Sequence, residues 1–240
     1  MTEVGPVEAK NVFITGGTGY VGRRLAEALV ARGHRVRVLA RVASVSRVAP
    51  GATAIVGNAL DASSYVSAVR PDETIVHLVG TPHPSPAKAA EFQRVDRPSI
   101  DAAVAAASRS RAGHLVYVSV AHPAPMMKAY IEVRMAGERA IAKAGLTATI
   151  IRPWYVLGPG HWWPVILKPV YAIASLIPSM RDGAQRLGLV TIDQMLRTLV
   201  AAVENPPAPG TIRAWNVADI RASGTPGLES KTRPTNVGNR

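Results

Sequence analysis

Gly16, Gly19 and Gly22 recur at three-residue intervals in Thr15-Gly16-Gly17-Thr18-Gly19-Tyr20-Val21-Gly22, a G-x-x-G-x-x-G pattern. The stretch lies between an apolar strand-like run (residues 11–16) and a helix-like run (residues 20–32). Such a loop turns tightly off the strand, lets backbone approach a pyrophosphate and lets the helix pack closely on a sheet. The phosphates would then meet the free N–H groups and positive dipole end of the helix. The expected ligand is a dinucleotide, contacted by Gly16, Thr18, Gly19, Tyr20, Val21 and Gly22. A second feature bears on which dinucleotide. NAD-binding chains hold the adenosine ribose with an Asp or Glu about 20 residues after the loop. No acidic residue occurs between Glu27 and Asp61, and Arg41 stands at the predicted strand end with Ser44 and Arg47 close by. A guanidinium there clamps a 2′-phosphate, which favours NADP over NAD. Arginines that merely solvate a loop are the other reading.

The elements that must position these residues follow from periodicity. Apolar runs predict strands at 11–16, 35–41, 53–58, 74–80, 114–120 and 147–153. Helical spacing predicts helices at 20–32, 91–108 and 126–144, with one or two helical turns over 62–69. Continuous apolar strands alternating with helices imply parallel strands covered on both faces. Right-handed crossovers then give an α/β doubly wound sheet of strand order 3-2-1-4-5-6. Beyond Gly160 the pattern loosens into a Trp/Pro-rich segment (161–183), strands near 187–192 and 211–217, and a helix at 193–204. We therefore expect a dinucleotide domain over 1–160, a small substrate-side region over 161–220 packed on it, and a disordered tail over 221–240.

These stretches resemble the atypical or extended short-chain dehydrogenases/reductases, in the group with NmrA-like and complex I subunit-like proteins. The resemblance is carried by ITGGTGYVG (14–22), VRVLAR (36–41), IVGNALD (55–61), IVHLVG (75–80), LVYVSV (115–120), YIEVRMAGE (130–138) and TIIRPWYVLGPG (149–160). It implies adenine contacts from Asn58 and Ala59, where relatives show an aspartate first. It also implies cofactor contacts from Gly80, and from Pro153 and Val156 beside the nicotinamide. In this superfamily a Tyr-x-x-x-Lys helix motif does the acid/base work, with a Ser or Thr after the fifth strand orienting the same substrate oxygen. The matching residues are Tyr130, Arg134 and Ser119. Spacing i, i+4 places Tyr130 and Arg134 on one helix face, where a cation lowers a phenol's pKa from its usual value of about 10. Arginine keeps the charge of the usual lysine but not its geometry or proton chemistry. For Arg134 the competing reading is a solvated residue paired with Glu138, and Glu132 and Glu138 read as solvated charges.

The remaining composition narrows the field. The chain has 240 residues, no cysteine and 48% hydrophobic residues. It can bury a core without disulfides and has neither thiol chemistry nor thiolate metal sites. The six histidines (His34, His77, His83, His114, His122, His161) form no ligand pattern, so no metal is expected. His122 could line the cleft near Ser119. No G-x-S-x-G elbow is present. The net charge of +12 invites a nucleic-acid reading, but no helix-turn-helix or aromatic-basic pattern supports it. Five arginines (Arg32, Arg35, Arg37, Arg41, Arg47) fall in the acid-free interval expected to flank the ribose. The N-terminus carries Glu3 and Glu8 without an apolar run and does not read as a signal peptide. Trp162–Met180 is split by Lys168 and three prolines and is too short to span a bilayer, leaving peripheral contact open. A cytoplasmic location is the expectation, with oligomeric state open between monomer and homodimer. Trp162, Trp163 and Tyr171 are candidates for an apolar substrate wall. The sequence thus supports an NADP(H)-dependent oxidoreductase acting on an apolar carbonyl or alcohol. The alternative is a non-catalytic NAD(P)H-binding sensor or assembly partner of the NmrA-like type.

Overall fold

The structure, a computed structural model, describes residues 8–124, 126–159 and 188–223. Seven parallel strands form its main sheet. They are β1 (Asn11–Thr15), β2 (Arg35–Ala40), β3 (Thr53–Val56), β4 (Thr74–His77), β5 (His114–Val118), β6 (Ala148–Ile151) and, after a separate pair, β9 (Ile212–Trp215), in the order β3-β2-β1-β4-β5-β6-β9. The expected doubly wound order is therefore present, extended by β9, which pairs in parallel with β6 from Ala148↔Ile212 to Ile151↔Trp215. The separate pair is β7 (Tyr155–Leu157) with β8 (Leu189–Thr191).

The two faces of the sheet carry separate cores because alternate side chains point opposite ways. Val12, Ile14, Val38, Val76 and Val116 meet Leu25 and Leu29 of α1 (Tyr20–Ala31). Met195, Leu199 and Val203 complete that layer from α5 (Ile192–Glu204), and Ile220 from α6 (Val217–Ala222). Phe13, Leu39, Ile75, Leu115 and Tyr117 face the other way. They meet Ile100, Ala103 and Ala107 of α3 (Arg97–Ser110) and Ile141 of α4 (Lys128–Lys143).

One helix departs from its expected form. The run predicted over 91–108 begins as a short turn, α2 (Ala89–Glu91), and widens into a π turn over Phe92–Asp96 before α3 starts. Pro98 has no N–H for the carbonyl of Arg94 four residues back, and its ring would collide with that carbonyl in a regular helix. The wider turn relieves this and sets Asp96 inward, 2% exposed. Near the C-terminal end, Arg221 belongs to α6, and its guanidinium donates to the Leu189 carbonyl at 2.9 and 3.0 Å. His161, the Trp162–Met180 segment with its aromatic residues, and the tail beyond residue 223 lie outside the described residues.

Candidate functional site

Strand order reverses between β1 and β4, and their C-terminal ends open the crevice where such sheets bind ligands. The glycine loop fills this position. Gly16 adopts φ +79°, and a β-carbon there would stand 2.7 Å from the Leu78 carbonyl carbon, so loop and β4 exit meet backbone to backbone. The Gly19 N–H donates to the Gly16 carbonyl at 3.1 Å, closing the turn. A β-carbon on Gly22 would fall on that same carbonyl oxygen. Helix α1 then starts from Gly19 with no side-chain cap and no acidic residue in its first turn. Its positive end is therefore left to an anion, and the residues present fit a dinucleotide pyrophosphate. Tyr20 turns its hydroxyl against Gly158, just beyond β7, where a β-carbon would overlap it. Val21 and Val156 both pack at the margin of the core on this face. Pro153 is buried and its carbonyl takes the Ala121 N–H at 2.9 Å, tying the exits of β5 and β6 together.

The adenosine side is only partly as expected. Arg41 is exposed at the end of β2, and a 3₁₀ turn follows over Val42–Arg47. Arg47 donates to the buried Ser44 hydroxyl at 3.0 Å, while the Arg41 guanidinium has no partner among the described residues. The five-arginine cluster is corrected. Arg32 and Arg35 stand before or at the start of β2, the opposite end from the crevice, and Arg32 pairs with Glu204 at 2.6 Å. Arg37 pairs with the fully buried Glu73 and donates to the Ala68 carbonyl at 2.5 Å. Two of the five remain where a ribose phosphate could meet them. Asn58 is exposed after β3, its side chain taking the Leu60 N–H at 3.1 Å, with half-buried Ala59 beside it.

The acid/base residues sit on α4. Tyr130 lies in its first turn, half-buried, with ring centroid 5.0 Å from that of Phe92 in the π turn. No described residue hydrogen-bonds its hydroxyl. An open pocket of about 190 Å³ adjoins it, lined by Pro86, Phe92, Met127, Lys128 and Ala129.

Arg134 is not the solvated residue of the simpler reading, and Glu138 is not its partner. Its side chain is 6% exposed and donates to Asp96 Oδ1 at 2.7 Å, to the Val118 carbonyl at 3.1 Å and to the Val79 carbonyl at 3.4 Å. The guanidinium carbon lies 5.0 Å from the Tyr130 ring centroid and 5.9 Å from that of Tyr117. Burial alone would favour losing the charge, but Tyr130, Tyr117 and Asp96 raise the pKa above its ordinary value and keep it cationic. Gly80 is explained by this pair, since a β-carbon there would overlap Arg134 Nη2 and stand 3.3 Å from Asp96 Oδ1.

Ser119, 3% exposed, donates to Glu138 Oε1 at 2.6 Å. Glu138 also holds Arg152, at 3.0 Å to Oε1 and 2.5 Å to Oε2, with His122 Nε2 at 3.6 Å. The expectation of a solvated Glu138 is thus corrected, while Glu132 is exposed as expected. Burial lowers the His122 pKa, with Glu138 opposing and Arg152 assisting. Tyr130 and Arg134 are brought together; Ser119 sits on the same side of α4 but bonds to Glu138.

A buried chain missed in the sequence joins this region to the glycine loop. The Thr15 hydroxyl lies 2.8 Å from His77 Nδ1, and His77 Nε2 lies 3.3 Å from the Ser99 hydroxyl. Ser99 donates to the Asp96 carbonyl at 2.9 Å. These directions suit a neutral imidazole with its proton on Nε2. Burial, with Arg134 adding to it, pushes the His77 pKa down to about 3. The Asp96 carboxylate takes the Thr81 N–H at 3.0 Å and hydroxyl at 2.6 Å. Asp96 had a sequence signal, an acid just before Arg-Pro at the head of an alanine-rich helix, but its partners are distant in sequence. Among the described residues no cluster could hold a metal ion, and no helix is long and apolar enough to cross a membrane.

Residues 16–159 match the family model described as NAD(P)H-binding, which spans the glycine loop, β4 and α4. The chain belongs to this NAD(P)H-binding family. Relatives of this member include the ceramide reductase of Caulobacter vibrioides, 27% identical over 216 residues, covering 89% of this chain and 66% of the relative. Another is the 4-hydroxy-2-methyl-3-oxo-4-farnesyl-3,4-dihydroquinoline-1-oxide ketoreductase of Stigmatella aurantiaca, 29% identical, covering 61% of this chain and 50% of the relative. The chain thus spans less than two thirds of the length of either. Among solved structures, the Bordetella bronchiseptica enzyme WbmH in complex with NAD+ superposes with TM-score 0.61 at 23% identity, covering 82% of this chain and 73% of that one. That likeness shows the fold. The NAD(P)H-binding match and the reductase relatives fit the short-chain dehydrogenase/reductase resemblance.

Proposed function

We propose that this chain is an NADP(H)-dependent oxidoreductase of the atypical short-chain class, acting on an apolar carbonyl or alcohol. The observation that carries the reading is Tyr130, a phenol with no hydrogen-bond partner among the described residues, beside an apolar pocket and the Arg134 guanidinium. When bound, the dinucleotide supplies or accepts the hydride. In the reducing direction Tyr130 gives its proton to the carbonyl oxygen as the alcohol forms, and water restores that proton. Arg134 shapes the field at the phenol. Ser119 orients the same oxygen once its hydroxyl turns from Glu138. Gly16, Thr18, Gly19, Tyr20, Val21 and Gly22 hold the pyrophosphate, Asn58 and Ala59 flank the adenine, Gly80 lines the path, and Pro153 and Val156 back the nicotinamide. Arg41 supplies the preference for NADP over NAD. Residues 161–220 also supply the substrate side in this reading, apart from β9 and α5, which belong to the sheet and its core. An apolar substrate is supported by Phe92 and Met127 in the pocket lining, and by the ceramide and farnesyl groups in the names of two relatives.

A second reading, a non-catalytic NAD(P)H sensor, draws support from one feature: carboxylates already hold both Ser119 and Arg134. NADPH and NADH are titrated by protein fluorescence, and NADPH oxidation is followed with a panel of long-chain ketones for wild type and Tyr130→Phe. The oxidoreductase reading expects turnover on at least one ketone, lost about 100-fold or more in Tyr130→Phe with NADPH affinity unchanged. Tight NADPH binding without Tyr130-dependent turnover on any ketone would leave the sensor.

A further inference from the structure

Asp96 has no place in the residues assigned so far, yet it is among the most deeply buried charges described, with its side chain 1% exposed. A buried carboxylate is costly unless its oxygens are fully partnered. Here one oxygen takes Arg134 Nη2 at 2.7 Å, and the other takes both the N–H and hydroxyl of Thr81. Three local features serve this placement: the π turn that directs Asp96 inward, the absent side chain of Gly80, and the Val79 and Val118 carbonyls that hold the guanidinium.

The consequence falls on Tyr130. Arg134 lies against its ring, in the place where a free cation would draw the phenol toward phenolate. With Asp96 in contact, the ion pair presents little net charge to that ring. We propose that Asp96 is a positioning residue that offsets Arg134, so that Tyr130 stands as a proton donor and the site is biased toward carbonyl reduction. This rests on the reading of Tyr130 as the acid/base group.

The other charged or titratable groups facing the Arg134–Tyr130 contact are few. Tyr117 on β5 has its ring centroid 5.9 Å from the guanidinium carbon, and burial pushes its pKa up to about 12. His77 on β4 is neutral well below physiological pH. Glu138, one turn along α4 from Arg134, is paired with Arg152. Lys128 heads the same helix and lines the pocket. None of these neutralises Arg134, which leaves that role to Asp96.

The test reads the Tyr130 phenol directly, without turnover, by ultraviolet difference titration of phenolate absorbance with Tyr130→Phe as the blank. Asp96→Asn exposes the ring to an unbalanced cation, so phenolate should appear at a pH lower by one unit or more. Asp96→Asn/Arg134→Gln removes both charges and leaves no unpaired buried ion. Its Tyr130 titration should coincide with wild type within half a unit. Unchanged ionisation in Asp96→Asn, or a rise of one unit or more in the double variant, overturns the proposal. If Asp96→Asn does not fold, the double variant decides alone. A structural role for Asp96 would lower stability in both variants but would not shift the phenol in the single variant and restore it in the double. Loss of the oxidoreductase reading would appear only in the ketone assay, so the two failures are distinguishable.

Discussion

Ser119 gives its hydroxyl to Glu138 at 2.6 Å, so the residue just beyond β5 is tied to a carboxylate two turns along α4 from Tyr130. Arg152, just beyond β6, grips both oxygens of that carboxylate. One acidic side chain therefore fixes the exits of two adjacent strands relative to the helix that bears the phenol. Removing it leaves Arg152 largely buried and unpaired. We expect Glu138→Ala to lower stability by roughly 2–4 kcal/mol, measured as a shift in urea unfolding. A loss under 0.5 kcal/mol would mean that Arg152 finds water or another partner.

The glycine loop gives a steric prediction. In Gly22→Ala the new methyl must displace the Gly16 carbonyl, the group that closes the turn onto Gly19. NADPH affinity should fall at least tenfold, with stability reduced by about 1–3 kcal/mol. Fluorescence titration and thermal melting check the two effects separately, and unchanged affinity would mean that the loop does not touch the dinucleotide.

Cofactor choice is assigned to Arg41. Arg41→Ala should weaken NADPH binding about tenfold while leaving NADH within twofold, because only the former carries the 2′-phosphate. The phosphate contact should also weaken with added salt, since the residue is exposed. Equal losses for both dinucleotides would remove the phosphate role.

Acid should destabilise the fold through two buried histidines. Burial, with smaller help from Arg134 and Arg213 respectively, lowers the His77 pKa to about 3 and the His114 pKa to about 4. Each binds a proton more readily unfolded, near pH 6.5, than folded. Stability is therefore full above about pH 6.5 and falls with pH, by about 1.4 kcal/mol per pH unit for each group, down to its folded pKa. His114→Gln can keep a bond to Thr149 without titrating, so it should flatten the slope of urea-derived stability between pH 6 and 4.5. An unaltered slope counts against the buried neutral state.

The sheet was legible because its strands are covered on both faces and so carry unbroken apolar runs. Val12, Phe13 and Ile14 are all fully buried, and each belongs to one of the two cores. The glycine spacing was legible because close backbone approaches at Gly16 and Gly22 leave no room for a side chain, while Gly19 closes the turn between them. The surroundings of Arg134 were not. Asp96 lies 38 residues earlier, and a proline-induced π turn brings it inward. Periodicity treats such a turn as continuous helix. Glu138 looked solvated because its neighbour in sequence, Arg134, is not its neighbour in space; Arg152 and Ser119 arrive from separate strands. The arginines of 32–47 were misjudged because a run of charge in sequence straddles both ends of a strand.

The last strand has a practical meaning. Strand β9 completes the edge beside β6, α5 packs on the core face shared with α1, and Glu204 clasps Arg32 and His34. Residues 8–159 and 188–223 thus complete one another's interior. A chain cut between them should behave as a split protein, whose halves, produced separately, find each other and rebuild the dinucleotide crevice without a covalent link.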